Sequence, residues 1–163
     1  LLVYSIGRAQ PRSNLTASKK GLWEEGGLIV LTDEYTASAS EIVSGAIQDW
    51  DRGLVVGRRT FGKGLVQTTR DLSYNAKLKV TTAKYYTPSG RCIQALDYTH
   101  RNEDGSVGHI PDSLITEFKT LKGRKVFDGG GVNPDIEVEN EKLSNKLSDC
   151  DLYSDSGLLP GKT

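Results

Sequence analysis

The chain has 163 residues, enough for one domain with a real core, and its 36% hydrophobic and 26% charged content is ordinary for a globular protein. Twenty-one basic residues balance twenty-one acidic ones, which excludes the basic footprint of a nucleic-acid-binding protein or a partner of anionic membranes. No apolar run reaches the roughly 20 residues needed to cross a bilayer, and no membrane span is expected.

Residues 1–6 (LLVYSI) start as an apolar run with the character of a strand, and residues 8–20 are polar and read as a loop. Residues 28–32 (LIVLT) form a short, continuous, β-branched run, the pattern of a strand buried on both faces. The period then changes. Ile42, Val43, Ala46, Ile47 and Trp50 recur at helical spacing and predict a helix over 40–50, ended by Asp51-Arg52-Gly53 with Gly53 as its C-cap. Residues 54–56 (LVV) are a second buried strand. Strand, helix and strand over about thirty residues favour a parallel pair and an α/β layer.

After the Gly-rich turn at 61–64, residues 65–72 and 78–86 read as two more strands joined by a turn at 73–75. A further turn falls at 87–90, a polar, mobile stretch at 97–108, and a Gly-rich turn at 128–131 ahead of a strand at 136–138. Residues 1–139 are taken as one unit, and the polar tail 140–163 is unassigned. His100 and His109 are both placed on exposed loops, so a histidine-based triad is poorly supported. Cys92 and Cys150 are too far apart in sequence for a metal motif, and their positions neither require nor exclude a disulfide.

Ser38 lies between a buried strand and an amphipathic helix, where free helix N–H groups and the macrodipole favour an alkoxide and a developing oxyanion. The backbone N–H of Ala39 is then a natural oxyanion donor. Ser38-x-x-Glu41 equally fits a capping box, a structural role. A serine nucleophile needs a base, and the remaining class is lysine held neutral by burial. Lys63 suits this best: it has no acidic residue within seven positions, and Gly62 and Gly64 let the backbone pack closely and turn the side chain inward. Gly62-Lys63-Gly64 lacks the longer pattern of a phosphate loop.

Three runs, VLTDEYTASASEIVSGAIQDWDRGLVVGRRTFGKGLVQ at 30–67, KLKVTTAKYYTPSGRCIQ at 77–94 and GGGVNPDIEV at 129–138, together resemble the carboxyl-terminal processing, or tail-specific, serine peptidases. The spacing is the specific part: twenty-five residues from Ser38 to Lys63 and four more to Gln67. The resemblance implies Ser38 as nucleophile, Lys63 as general base, Gln67 orienting the lysine amine and the Ala39 N–H in the oxyanion hole. It also implies a crotonase- or Clp-peptidase-like β/α spiral, protein or peptide substrates cut near their C-termini, no metal or cofactor, and a bacterial periplasm or cell envelope location. Tyr85, Tyr86 and Pro88 are read as packing residues.

Family members normally carry a PDZ domain and an upstream strand with a Gly-rich turn that supplies a second oxyanion donor, and neither fits here. The chain has no methionine and opens on Leu1, so it is expected to be a fragment or processed product, truncated at its N-terminal side. Alone it is expected to be weak or inactive, with exposed sheet edges that favour homo-oligomers. Two rival readings stand beside the peptidase: a non-catalytic binding module of the same fold, and a crotonase-like enzyme of acyl thioesters, which leaves the Ser-Lys-Gln spacing unexplained.

Overall fold

The computed structural model describes residues 1–139. The tail from residue 140, and Cys150 within it, lie outside the described residues. Two strands open the chain, β1 (Val3–Ile6) and β2 (Ser13–Leu15), followed by β3 (Ile29–Thr32), helix α1 (Ala39–Asp49) and β4 (Leu54–Gly57). The hairpin of β5 (Leu65–Asp71) and β6 (Lys77–Tyr86) comes next, then β7 (Leu96–Arg101) and β8 (Val107–His109). Short strands β9 (Glu117–Lys119), β10 (Lys125–Phe127) and β11 (Ile136–Glu137) follow.

The predicted strand–helix–strand unit is present. β3 and β4 pair in parallel from Ile29 opposite Leu54 to Thr32 opposite Gly57, with α1 as the crossover, and β11 joins β4 in parallel on its other side. Beside this layer, β2, β1, β6 and β5 form an antiparallel sheet in that order. The α/β class therefore holds, although antiparallel strands outnumber parallel ones.

Several sequence expectations need correcting. β3 is not buried on both faces: Ile29 and Leu31 are 62% and 78% exposed, while Thr32, on the opposite face from Leu31, is buried. A continuous apolar run cannot distinguish a covered face from an uncovered one. The polar stretch at 8–20 contains β2, which pairs with β1, and the stretch at 97–108 is largely the β7–β8 hairpin, not a mobile loop. His100 and His109 are exposed as expected, but on these strands.

The helix stop also differs. Trp50 is the C-cap, and Asp51 takes the left-handed conformation at φ 51°. Asp51 N–H donates to Gln48 O and Arg52 N–H to Ile47 O, both at 3.0 Å, the pairing by which a helix end satisfies its last carbonyls. Gly53 serves close packing instead, since a Cβ there would lie 2.6 Å from the Leu28 carbonyl oxygen.

The apolar core is small, centred on Val55, Ile93 and Val132, and a buried polar network extends it. Arg91 Nη2 lies 2.9 Å from Asp49 Oδ1 with both side chains sealed from solvent. Burial pulls the Arg91 guanidinium below its ordinary value, and Asp49 works against that. Asp135 accepts the Val55 N–H at 2.8 Å and Gln48 Nε2 at 3.0 Å, and it also pairs with Arg124. Arg124 bonds Asp51 at 2.5 Å, so α1, β4 and the β9–β10 hairpin are locked together. Tyr86 stacks on Tyr4 at 5.2 Å between ring centroids, the packing role expected of it.

Asp51 gives this network a pH signature. Burial opposes its charge, but the Lys122 N–H and Arg124 outweigh it and hold the carboxyl below its ordinary 3.8. A lowered folded value stabilises the fold above the unfolded value, and that stability is lost as pH falls through the folded one. Asp51→Asn is expected to cost about 1 kcal/mol at neutral pH, and the gap from the parent should narrow in acid, as pH falls below 3.8 and through the lowered folded value. Urea unfolding at neutral and at acid pH measures it; an equal gap at both would assign the loss to packing.

Candidate active site

β3 hands the chain to α1 through a tight turn. Asp33 accepts the Thr36 hydroxyl and the Thr36 N–H at 2.8 Å and the Tyr35 N–H at 3.1 Å. The Thr36 hydroxyl is the main reason its carboxyl sits below the ordinary value. The chain then enters the helix through Ser38 at φ 58°, ψ −115°. A capping serine normally takes extended backbone. This conformation is one that a residue with a Cβ rarely adopts, at a cost of about 1–3 kcal/mol. A strained serine on a sharp strand-to-helix turn is the geometry that exposes a nucleophilic hydroxyl.

Glu41 holds that turn. Its side chain is fully buried, and Oε2 accepts the Ser38 N–H at 2.8 Å, the half of the capping box that the sequence anticipates. The same oxygen accepts the Lys63 N–H at 2.8 Å, while Oε1 accepts the Gly62 N–H at 2.7 Å and the Thr60 hydroxyl at 2.5 Å. Ser38 and Lys63 are thus joined through one oxygen atom, their backbone nitrogens at most twice a hydrogen-bond length apart. A carboxylate offers about four acceptor positions, and all are taken. Sequence reasoning saw Glu41 only as a cap, because its other three partners lie 19 to 22 residues away.

The lysine loop at 61–64 is fixed from its other side too. Phe61 N–H donates to Thr36 O at 3.0 Å, Ala95 N–H to Gly62 O at 2.9 Å and Gly64 N–H to the buried Gln94 Oε1 at 2.8 Å. Close passage demands the glycines: a Cβ on Gly62 would lie 2.4 Å from the Ala95 Cβ, and one on Gly64 2.8 Å from the Gln94 nitrogen. The expected tight packing is there, but it does not bury Lys63, whose side chain is exposed. Gln67 is exposed as well, on β5. A β-bulge beside it inserts Thr82 into β6, since Val66 faces Ala83 and Gln67 faces Thr81. Bulges re-aim neighbouring side chains and are frequent beside active sites. Gln94 escaped sequence reasoning because no local pattern marks a glutamine that bonds a distant loop.

Two cavities are lined by the chain neighbours of the serine. Ala37 lines an open cavity of ≈ 580 Å³ in which Lys63, Gln67, Lys79, Gln94 and Tyr98 stand among the apolar side chains of Phe61, Leu65 and Leu96. Ala39 lines an apolar groove of ≈ 660 Å³ between α1 and strands β1, β2 and β6, with Ile42, Val43, Trp50 and Tyr85 among its walls. Ser40, Glu41 and Ile42 donate their N–H groups back to Ala37 or Ser38, whereas the Ala39 N–H has no acceptor among the described residues. It is free to bind an oxyanion. Among the described residues no group of three His, Cys, Asp or Glu side chains is placed to hold a metal, and no helix is long and apolar enough to cross a membrane.

Comparison with known proteins adds an independent line. The model of peptidase family S41 matches residues 1–101. The carboxy-terminal-processing protease of Bartonella bacilliformis is 46% identical over 99 residues, covering 60% of this chain and 23% of that protein. The carboxyl-terminal-processing protease of Synechocystis sp. is 43% identical over 116 residues, 71% of this chain and 24% of that protein. Among solved structures, the photosystem II D1 C-terminal processing protease superposes with a TM-score of 0.59 at 32% identity, over 90% of this chain and 29% of that one. The chain thus spans about a quarter of the length of these curated relatives.

Proposed function

The chain belongs to peptidase family S41, and on that premise we propose that it carries the catalytic core of a serine endopeptidase that cuts protein substrates near their C-termini. Lys63 takes the proton of Ser38 as Oγ bonds to the substrate carbonyl carbon. The carbonyl electron pair moves onto oxygen, which the Ala39 N–H stabilises. The C–N bond then breaks and the leaving amine takes the proton from Lys63. Water hydrolyses the ester by the same route, its proton passing through Lys63 back to Ser38.

The observation that carries this reading is the strained backbone of Ser38, held by the Glu41 oxygen that also holds Lys63. A capping serine needs no strain, and a binding module needs no such link. The base function requires a neutral amine, and a bound substrate that excludes water from the exposed Lys63 favours it. Gln67, in the same cavity, is the side chain to orient that amine. A bacterial envelope location fits the bacterial relatives, while others of similar identity are chloroplastic.

The test is to trap the acyl-enzyme. Acid quenching of the intact protein in mid-turnover should yield a mass increase equal to the acyl half of the peptide, mapped to Ser38. Turnover without such an adduct, or an adduct elsewhere, overturns the reading.

A further inference from the structure

The cavity lined by Ala37 holds two lysines. Lys63 belongs to the mechanism above; Lys79 has no part in it. Thr69 faces Lys79 across the β5–β6 ladder, as Thr81 faces Gln67, so Lys79 and Gln67 stand on one face of the ribbon, and both line the cavity. Two residues further along that face, Lys77 is neutralised by Asp71 at 2.6 Å. Lys79 has no such partner among the described residues.

Asp71, on the same face of the ribbon, is paired with Lys77, and the cavity itself supplies no carboxylate. None of the cavity-lining residues is acidic, and the two tyrosines, Tyr35 and Tyr98, offer only hydroxyls. Glu41 lies behind the lysine loop with its acceptor positions filled. Asp97, in the adjoining cavity with Arg8 and Lys84, is engaged by His100 at 2.7 Å. An unpaired cation facing an open cavity whose lining carries no anion selects an anion.

The mechanism gives the cavity a direction. Lys63 delivers its proton to the departing amine, so the cavity it lines receives the leaving half of the substrate. We propose that Lys79 forms a carboxylate-binding subsite for the leaving half of the peptide, selecting substrates with an acidic group shortly after the scissile bond. This rests on the peptidase reading for its orientation. The same chemistry fits a Glu or Asp side chain and a free C-terminal carboxylate.

Binding to the intact protein carrying Ser38→Ala tests the subsite without requiring turnover. Three peptides share one sequence: one with Glu after the scissile bond and an amidated end, one with Gln there and a free carboxylate, and one with Gln and an amidated end. Fluorescence titration should give one of the charged peptides about tenfold tighter binding than the neutral one at low salt, and which one it is identifies the carboxylate. Lys79→Gln should bring that ratio close to one, and Lys79→Glu should turn it into a preference for the neutral peptide. Equal binding of all three, or a preference that survives Lys79→Gln, overturns the subsite. Loss of turnover by the parent with the binding ratio intact would sink the peptidase reading and leave the subsite standing.

Discussion

Glu41→Ala is expected to lower the unfolding free energy by about 4 kcal/mol, far above the ~1 kcal/mol of an average substitution, and to abolish peptide hydrolysis with it. Four donors lose their acceptor at once: the N–H groups of Ser38, Gly62 and Lys63 and the hydroxyl of Thr60. Each buried donor left unpaired costs about 1–3 kcal/mol, and partial relaxation keeps the total below the sum. Thr60 also accepts the Val132 N–H at 2.7 Å, so the damage reaches the Gly-rich turn behind the site. Glu41→Gln keeps the shape but turns an NH₂ group toward donors, and should fall between parent and alanine. Denaturant unfolding gives the stability, and hydrolysis measured far below the unfolding midpoint gives the activity. A loss under 1 kcal/mol for Glu41→Ala would mean that water replaces the carboxylate.

The same residue shows how far a sequence can be read. The capping-box spacing of Ser38 and Glu41 is local, and the structure contains the Glu41 half of it. The bonds from Glu41 to the lysine loop are long-range, so no periodicity announces them. α1 and the β5–β6 hairpin were legible because their side-chain periods, 3.6 and 2, are written into consecutive residues. β3 was legible as a strand but not in its exposure, because Ile29 and Leu31 look alike covered or uncovered. The β7–β8 hairpin was hidden by its composition. Asp97, Thr99, His100 and Arg101 suggest a loop, yet the strand needs only backbone pairing, and both of its faces tolerate polar side chains where solvent reaches them. The lysine loop shows the opposite case: the flanking glycines correctly announced close backbone packing, but packing of the main chain did not carry the Lys63 side chain inward.

The two structural roles open to Ser38 make opposite predictions about stability, and these can be read apart from activity. If Ser38 served mainly as a cap, Ser38→Gly would be close to neutral and Ser38→Ala would cost about 1 kcal/mol. At φ 58°, ψ −115°, a glycine removes the Cβ that makes this conformation costly, so Ser38→Gly is expected to stabilise the fold by about 1 kcal/mol. In the intact protein the same substitution should lower kcat by about 10⁴-fold or more, as should Lys63→Ala, since either removes a partner of one proton-transfer unit. Residues acting as a unit are not additive, so the Ser38→Ala, Lys63→Ala double variant should be no slower than either single one. Lys63→Arg should be as inactive as the alanine, because a guanidinium cannot give up its proton near neutral pH. Steady-state kinetics with urea unfolding on the same samples separates the cases. A Lys63→Ala variant within tenfold of the parent would move the base elsewhere. A Ser38→Gly variant of unchanged stability would make the turn a cap first, and one that kept its activity would leave the nucleophile to be sought among its neighbours Thr36 and Ser40.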